Sequence, residues 1–217
     1  MSESHLYTYG IIDDNESLAL NVDGVAGATR AYTVSYRSLS AVVSDIETTD
    51  PERTDAAVEA HNTVLQAVLE HDATRAVVPM SFGMAFKNAR TLKGVLRGAR
   101  RALRSTLTEI AGTVELGVKV LAPGDDTAVD TAAVRSDVTA RLSALSVGET
   151  ENDCFTDRLI INKSYLVEHD TRDAFDAAID EIDAAHDDLT VRYTGPWPPY
   201  NFVDIHIGAE QAQQGGR

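Results

Sequence analysis

The chain has 217 residues, 43% of them hydrophobic, and a formal charge of −15. That excludes a disordered polymer and leaves one large or two small domains with a real core. The excess of 34 acidic over 19 basic side chains argues against nucleic acid as a general partner, and no apolar run approaches the roughly 20 residues that span a bilayer. Only four of the cations are lysines (Lys87, Lys93, Lys119, Lys163), and Asp outnumbers Glu. Such a bias is expected either of a cytoplasm at very high salt or of an ordinary acidic protein; at high salt the Debye length falls to about 3 Å at 1 M, and partner binding then rests on apolar contact and close ion pairs. MSESHLYTYG has no basic segment followed by an apolar one, so no export signal is expected. The single Cys154 makes no internal disulfide or thiol pair and is expected to be half-buried.

In chain order, Leu6 to Ile12 (LYTYGII) is rich in β-formers and predicts a strand, followed by the acidic turn DDNES. VDGVAGA, with two glycines, predicts a loop. Thr29 to Ile46 alternates as two antiparallel strands turning near Arg37 and Ser38. Asp50-Pro51-Glu52 carries a cap, a first-turn proline and a first-turn acid, so a helix is expected from there to His71. Its buried face would hold Ala57, Val58, His61, Val64, Leu65, Val68 and Leu69. Ala76 to Phe86 predicts a strand and a bend with Met80, Phe82, Met84 and Phe86 on one heavily apolar side. Asn88 to Ala111 predicts a second long helix that buries Leu92, Val95, Leu96, Ala99, Leu103, Leu107 and Ile110 and ends at Gly112.

TVELGVKVLAP predicts a strand, and residues 130–146 a third helix. Gly148 to Asp157 is polar and expected to be loose. DRLIINKSYLVE predicts a strand, and DAFDAAIDEIDAAH a helix with Phe175, Ala178, Ile179, Ile182 and Ala185 inward. LTVRYTG predicts another strand, and FVDIHIG is a candidate for a further one. The fold class read from this order is α+β, with helices on one face of a mainly antiparallel sheet in the second half. The domains are set at 1–112 and 113–208, with a frayed tail at 209–217.

Chemistry is sparse. GxxxxGK[ST], HExxH, CxxC and GxSxG are all absent. His61 lies on the apolar stripe of its helix and is expected to be a core histidine rather than a catalyst. Glu168-His169-Asp170 has metal-ligand residue types, but neighbours in a turn diverge, and Asp204 with His206 lacks a nucleophile. No enzyme activity, cofactor or metal is expected.

Two features stand out instead. Arg90, Lys93, Arg97, Arg100, Arg101 and Arg104 are spaced 3, 4, 3, 1 and 3, which places them within an arc of about 100° on a helix. They form either a solvated face paired with the chain's own acids, such as those of the helix beginning at Asp50, or a docking face where Arg forks onto a partner's carboxylates. The second feature is YTGPWPPYNF, which holds three of the six prolines and the only tryptophan. Its prolines cannot sit in a central strand. The segment is expected to be a stiff bend that projects Trp197, Tyr200 and Phe202 in fixed directions. It is a clasp for the sheet, a preorganised apolar docking surface, or both.

VVPMSFGMAFKNARTLKGVL, INKSYLV and YTGPWPPYNFV together resemble the gas vesicle protein F and L family over nearly the whole chain, and the short length with the ending DIHIGAEQ is most similar to its haloarchaeal F-type members. The resemblance implies a non-enzymatic accessory role in forming hollow protein shells, in the cytoplasm and at the vesicle. It also implies an α+β N-terminal domain and a ferredoxin-like C-terminal domain. The implied partners are the very hydrophobic major gas vesicle shell protein and other gas vesicle accessory proteins. Two roles follow: a binder that keeps the shell protein assembly-competent or helps nucleate the vesicle, and, alternatively, a minor structural component of the mature shell. Apolar subunits are aggregation hazards before assembly, and apolar docking stays strong at multimolar salt. The aromatic segment and the alternating Met/Phe strand are the expected tools.

Overall fold

A computed structural model describes residues 4–13, 17–72, 75–124 and 129–204. The chain divides into two units, and the second runs from Gly112 to Phe202.

The first unit is built on one sheet. Its strands are β1 (His5–Ile12), β2 (Ala19–Leu20), β3 (Ala31–Tyr36), β4 (Leu39–Ile46), β5 (Val77–Pro79) and β6 (Ala85–Phe86), in the order β2-β3-β4-β1-β5, with β6 also paired to β1. All these pairings are antiparallel. The β3–β4 hairpin turns at Arg37 and Ser38 as expected, with Arg37 at a positive φ of 56°. One helix packs on each face. Helix α1 (Asp55–His71) covers Tyr7, Tyr9, Ile12 and Val42, and helix α2 (Ala89–Glu109) covers Leu6, Ile11, Ala41 and Val43.

A register shift between Thr8 and Gly10 lets β1 serve both layers. Without the extra residue, Tyr7, Tyr9 and Ile12 could not share a face, because alternation has a period of two. Gly10 is part of that device. A Cβ there would lie 2.8 Å from Val77 Cγ1 and 2.9 Å from Leu65 Cδ2.

Helix α1 begins at Asp55 and not near Asp50. The Thr54 hydroxyl accepts the Ala57 N–H at 3.1 Å, and Pro51 is buried ahead of the helix. The anchored Pro51 keeps that stretch out of the helix, and Thr54 is the first residue placed to cap it. The Met/Phe segment is also corrected. Met80, Met84 and Phe86 pack under α2, while Phe82 turns to the α1 side beside Tyr7. The turn between β5 and β6 breaks the alternation, so the apolar side is spent on the protein's own two cores.

The second unit runs β7 (Thr113–Leu121), α3 (Thr131–Ser143), β8 (Gly148–Glu151), β9 (Leu159–Glu168), α4 (Arg172–Ala185) and β10 (Thr190–Trp197). Its antiparallel sheet has the order β10-β7-β9-β8, the ferredoxin-like arrangement. Val114, Leu116, Val118 and Val120 of β7 meet Val134, Val138 and Leu142 of α3 and Phe175, Ile179 and Ile182 of α4 in one core. Ala185 is exposed instead of inward, because α4 ends there and the core closes at Ile182.

The stretch from Gly148 contains a strand where a loose segment is expected. β8 has no apolar side to announce it; Glu149 and Glu151 lie 3.3 and 3.8 Å from the buried Lys163 Nζ of β9. Cys154 beyond it is exposed, not half-buried. Val203 packs with the α2-side core of the first unit rather than with the second. Phe202 to Asp204 form no strand, and the rest of FVDIHIG, the DDNES turn in part and the 209–217 tail lie outside the described residues.

Candidate docking surfaces

Helix α2 starts where Asn88 accepts the Thr91 N–H at 3.0 Å, and it buries Leu92, Leu96, Leu103 and Leu107. That burial sets the rotation of the helix and turns the basic row outward. Arg90, Lys93, Arg97, Arg101 and Arg104 are exposed. Arg100 is half-buried, and its Nε is enclosed without a hydrogen-bond partner. It lies at the edge of the row, about 20° from Leu107 at 100° per residue, so the apolar stripe reaches it.

None of the six cations forms an ion pair among the described residues. Pairing with the helix that follows Asp50 does not occur, since α1 occupies the other face of the sheet. A shallow depression on this face is lined by Tyr36, Arg90, Lys93, Gly94 and Arg97. The Arg37 guanidinium stands 5.8 Å from the Tyr36 ring centre and adds to its positive character.

The aromatic segment belongs to the second unit and divides in two. β10 continues through Pro196 to Trp197, which pairs with Glu115 after a register shift. β10 is an edge strand, so Pro196 has no ladder bond to donate on its free side. The Gly195–Pro196 bond is cis. Pro198 and Pro199 are buried, and Tyr200–Phe202 form a single 3-10 turn.

That turn is pinned. The Asn201 N–H donates to Glu115 Oε2 at 2.9 Å, and its side-chain amide donates to Glu115 Oε1 and, at 3.0 Å, to Ser164 Oγ. Glu115 and Ser164 are both buried. The half-buried Phe202 lies over Gly148, where a Cβ would sit 3.4 Å from its ring. Trp197 and Tyr200 remain 37% exposed. Thus Asn201 and Phe202 clasp the sheet, and Trp197 and Tyr200 face outward on a frame with little freedom left to lose.

Sequence reasoning did not single out Asn201 or Phe155. Phe155 is 81% exposed, next to the exposed Cys154. Asn201 had a signal in the lone acid Glu115 within an apolar β7, which needs a partner once buried. Phe155 had none.

No group of three His, Cys, Asp or Glu side chains among the described residues is placed to hold a metal. His61 is 2% exposed and accepts from, or donates to, the Tyr7 hydroxyl through Nδ1 at 2.8 Å, with Tyr9 and Phe82 packed around it. Burial lowers its pKa to about 4, so it is a neutral core residue. His206 lies outside the described residues. No described helix is long and apolar enough to cross a membrane.

The chain is similar to known proteins over nearly its whole length. The family model for the gas vesicle synthesis proteins GvpL/GvpF matches residues 5–137 and 124–204. Gas vesicle protein F1 of Halobacterium salinarum is 72% identical over 213 residues, 98% of this chain and 99% of that protein. Gas vesicle protein F of Haloferax mediterranei is 67% identical over 208 residues, 95% of this chain and 97% of that one. The crystal structure of GvpF from Anabaena superposes with a TM-score of 0.81 at 19% identity, covering 94% of this chain and 99% of that one.

Proposed function

The chain belongs to the gas vesicle synthesis protein GvpL/GvpF family, which serves gas vesicle formation, and from that premise we propose that it is a non-enzymatic accessory protein of the cytoplasm and the vesicle that binds the hydrophobic major shell protein. In this reading it keeps that subunit competent for assembly and helps seed the first ordered layer. Trp197 and Tyr200 supply the contact. The observation that carries the reading is their outward exposure on a segment pinned by Asn201 and Phe202. Aromatic anchors on a preordered frame bind with little entropy loss, and the contact persists at high salt because it is apolar. Other accessory proteins of the system are the remaining partners, and the basic row of α2 is a contact surface separate from the aromatic one.

The test is a split fluorescent reporter joining the full chain to the major shell protein in halophilic cells. Trp197→Ala with Tyr200→Ala should abolish the signal while the variant stays folded, and vesicles should fail to form. Retained signal per folded molecule reduces the segment to a clasp. No signal from the parent chain, with expression confirmed, removes the shell protein as a direct partner. A chain that stays with purified vesicles after stringent washing is a built-in structural component instead.

A further inference from the structure

Helix α2 carries more than a charged row. Beside the cations lie Gly94 and Gly98, and a Cβ at either would meet nothing within 4 Å. Their turn of the helix shows bare backbone, while Arg90, Lys93 and Arg97 stand alongside without a carboxylate among the described residues. Such a face admits another helix at close range and asks that it carry acids.

The chain contains that helix. Asp173, Asp176, Asp180 and Asp183 of α4 are spaced 3, 4 and 3, the same steps as Arg90, Lys93, Arg97 and Arg100 on α2. Equal steps give equal rise along the axis, so the two rows come into register. Asp173, Asp180 and Asp183 are exposed and form no ion pair among the described residues; Asp176 is engaged by Arg172 and Tyr193. Small residues again border the row, here the exposed Ala177 and Ala184.

In both helices the small residues follow the charged row in the same rotational sense, viewed from the N- to the C-terminus. An antiparallel pair therefore sets cations against carboxylates and small residues against small residues, whereas a parallel pair crosses them. Antiparallel packing also opposes the helix dipoles favourably.

We propose that α2 of one copy docks antiparallel on α4 of a second copy of this chain. The surfaces are different patches of each copy, so the contact either closes as a reciprocal pair or propagates into a ring or an open row. It forms at high salt because Arg–carboxylate pairs in direct contact and partly buried between two helices are screened much less than exposed charges. This inference is independent of the shell-protein contact, which lies on Trp197 and Tyr200.

Sedimentation of the purified full chain in molar salt, over a concentration series, tests it. The parent chain should self-associate, as a closed pair or as larger species that grow with concentration. Arg97→Glu with Arg101→Glu should weaken association at least tenfold, as should Asp180→Lys with Asp183→Lys, with circular dichroism unchanged. Mixed together, the two variants keep one intact α4 and one intact α2, and should form a 1:1 complex that grows no further. Gly98→Gln should raise thermal stability by its helix propensity yet weaken association. Should a charge reversal unfold the chain, Arg97→Gln with Arg101→Gln replaces it. A parent chain that stays monomeric, or variants of either helix that associate like the parent, overturns the proposal. So does loss with α2 variants alone, which would assign the basic row to a different acidic partner.

Discussion

Tyr7 and Tyr9 leave β1 on the same face and enclose His61, whose Nδ1 bonds the Tyr7 hydroxyl at 2.8 Å. Burial holds this imidazole neutral by lowering its pKa from 6.5 to about 4. The unfolded chain binds the proton first as pH falls, so the stabilisation is complete above pH 6.5 and is withdrawn between 6.5 and 4. At 1.36 kcal/mol per pH unit the loss comes to about 3 kcal/mol. His61→Gln, which cannot take up the proton, should be less stable at neutral pH and decline less across that window in denaturant melts. An equal decline would show that His61 does not set the acid limb. Asn201 is the second decisive residue. Asn201→Ala strips Glu115 of two donors while it stays buried, an expected loss of about 1–3 kcal/mol. The released segment should red-shift the emission of Trp197, and an unchanged spectrum would mean that the prolines alone hold it.

At the scale of elements, β8 shows how a strand survives without an apolar face. Glu149 is held below its ordinary pKa of 4.5, first by the Ser143 hydroxyl and also by Lys163. A depressed carboxyl stabilises above its unfolded pKa, and the contribution disappears as pH falls through the folded one. Amides of residues 148–151 should therefore lose hydrogen-exchange protection below pH 4.5 before those of β9 do. Simultaneous loss would make β8 part of a single cooperative sheet. Polar alternation and an acid-rich composition hide such an edge strand, because its partner Lys163 is distant in sequence. Helices α2 and α4 are legible for the opposite reason: their apolar residues recur every three or four positions, and the charged rows fall where solvent must be.

The whole molecule carries a charge of −15, and self-repulsion grows as screening is removed. Dilution from molar to about 0.1 M salt lengthens the Debye length from about 3 to about 10 Å, so the melting temperature should fall steadily. Trp197, the only tryptophan, reports the second unit, while circular dichroism reports both. A melt independent of salt by both probes would remove charge repulsion from the account.

Local pattern and composition were enough to identify the α+β class, the principal helices and strands, the outward basic row and the family. Each is written in neighbouring residues, since periodicity and motif are properties of short windows. The strand order, the bulge that turns Tyr9 and Ile12 onto one face, the start of α1 at Thr54 and the division of labour between Phe202 and Trp197 were not written there. Tertiary contact decided them, because burial depends on residues such as Glu115 and Asn201 meeting across 86 positions. Which apolar groups are spent on the core and which are left for a partner is set by the same contacts. The Met/Phe segment and Trp197 look equally available in the sequence, and packing consumes the first while leaving the second exposed.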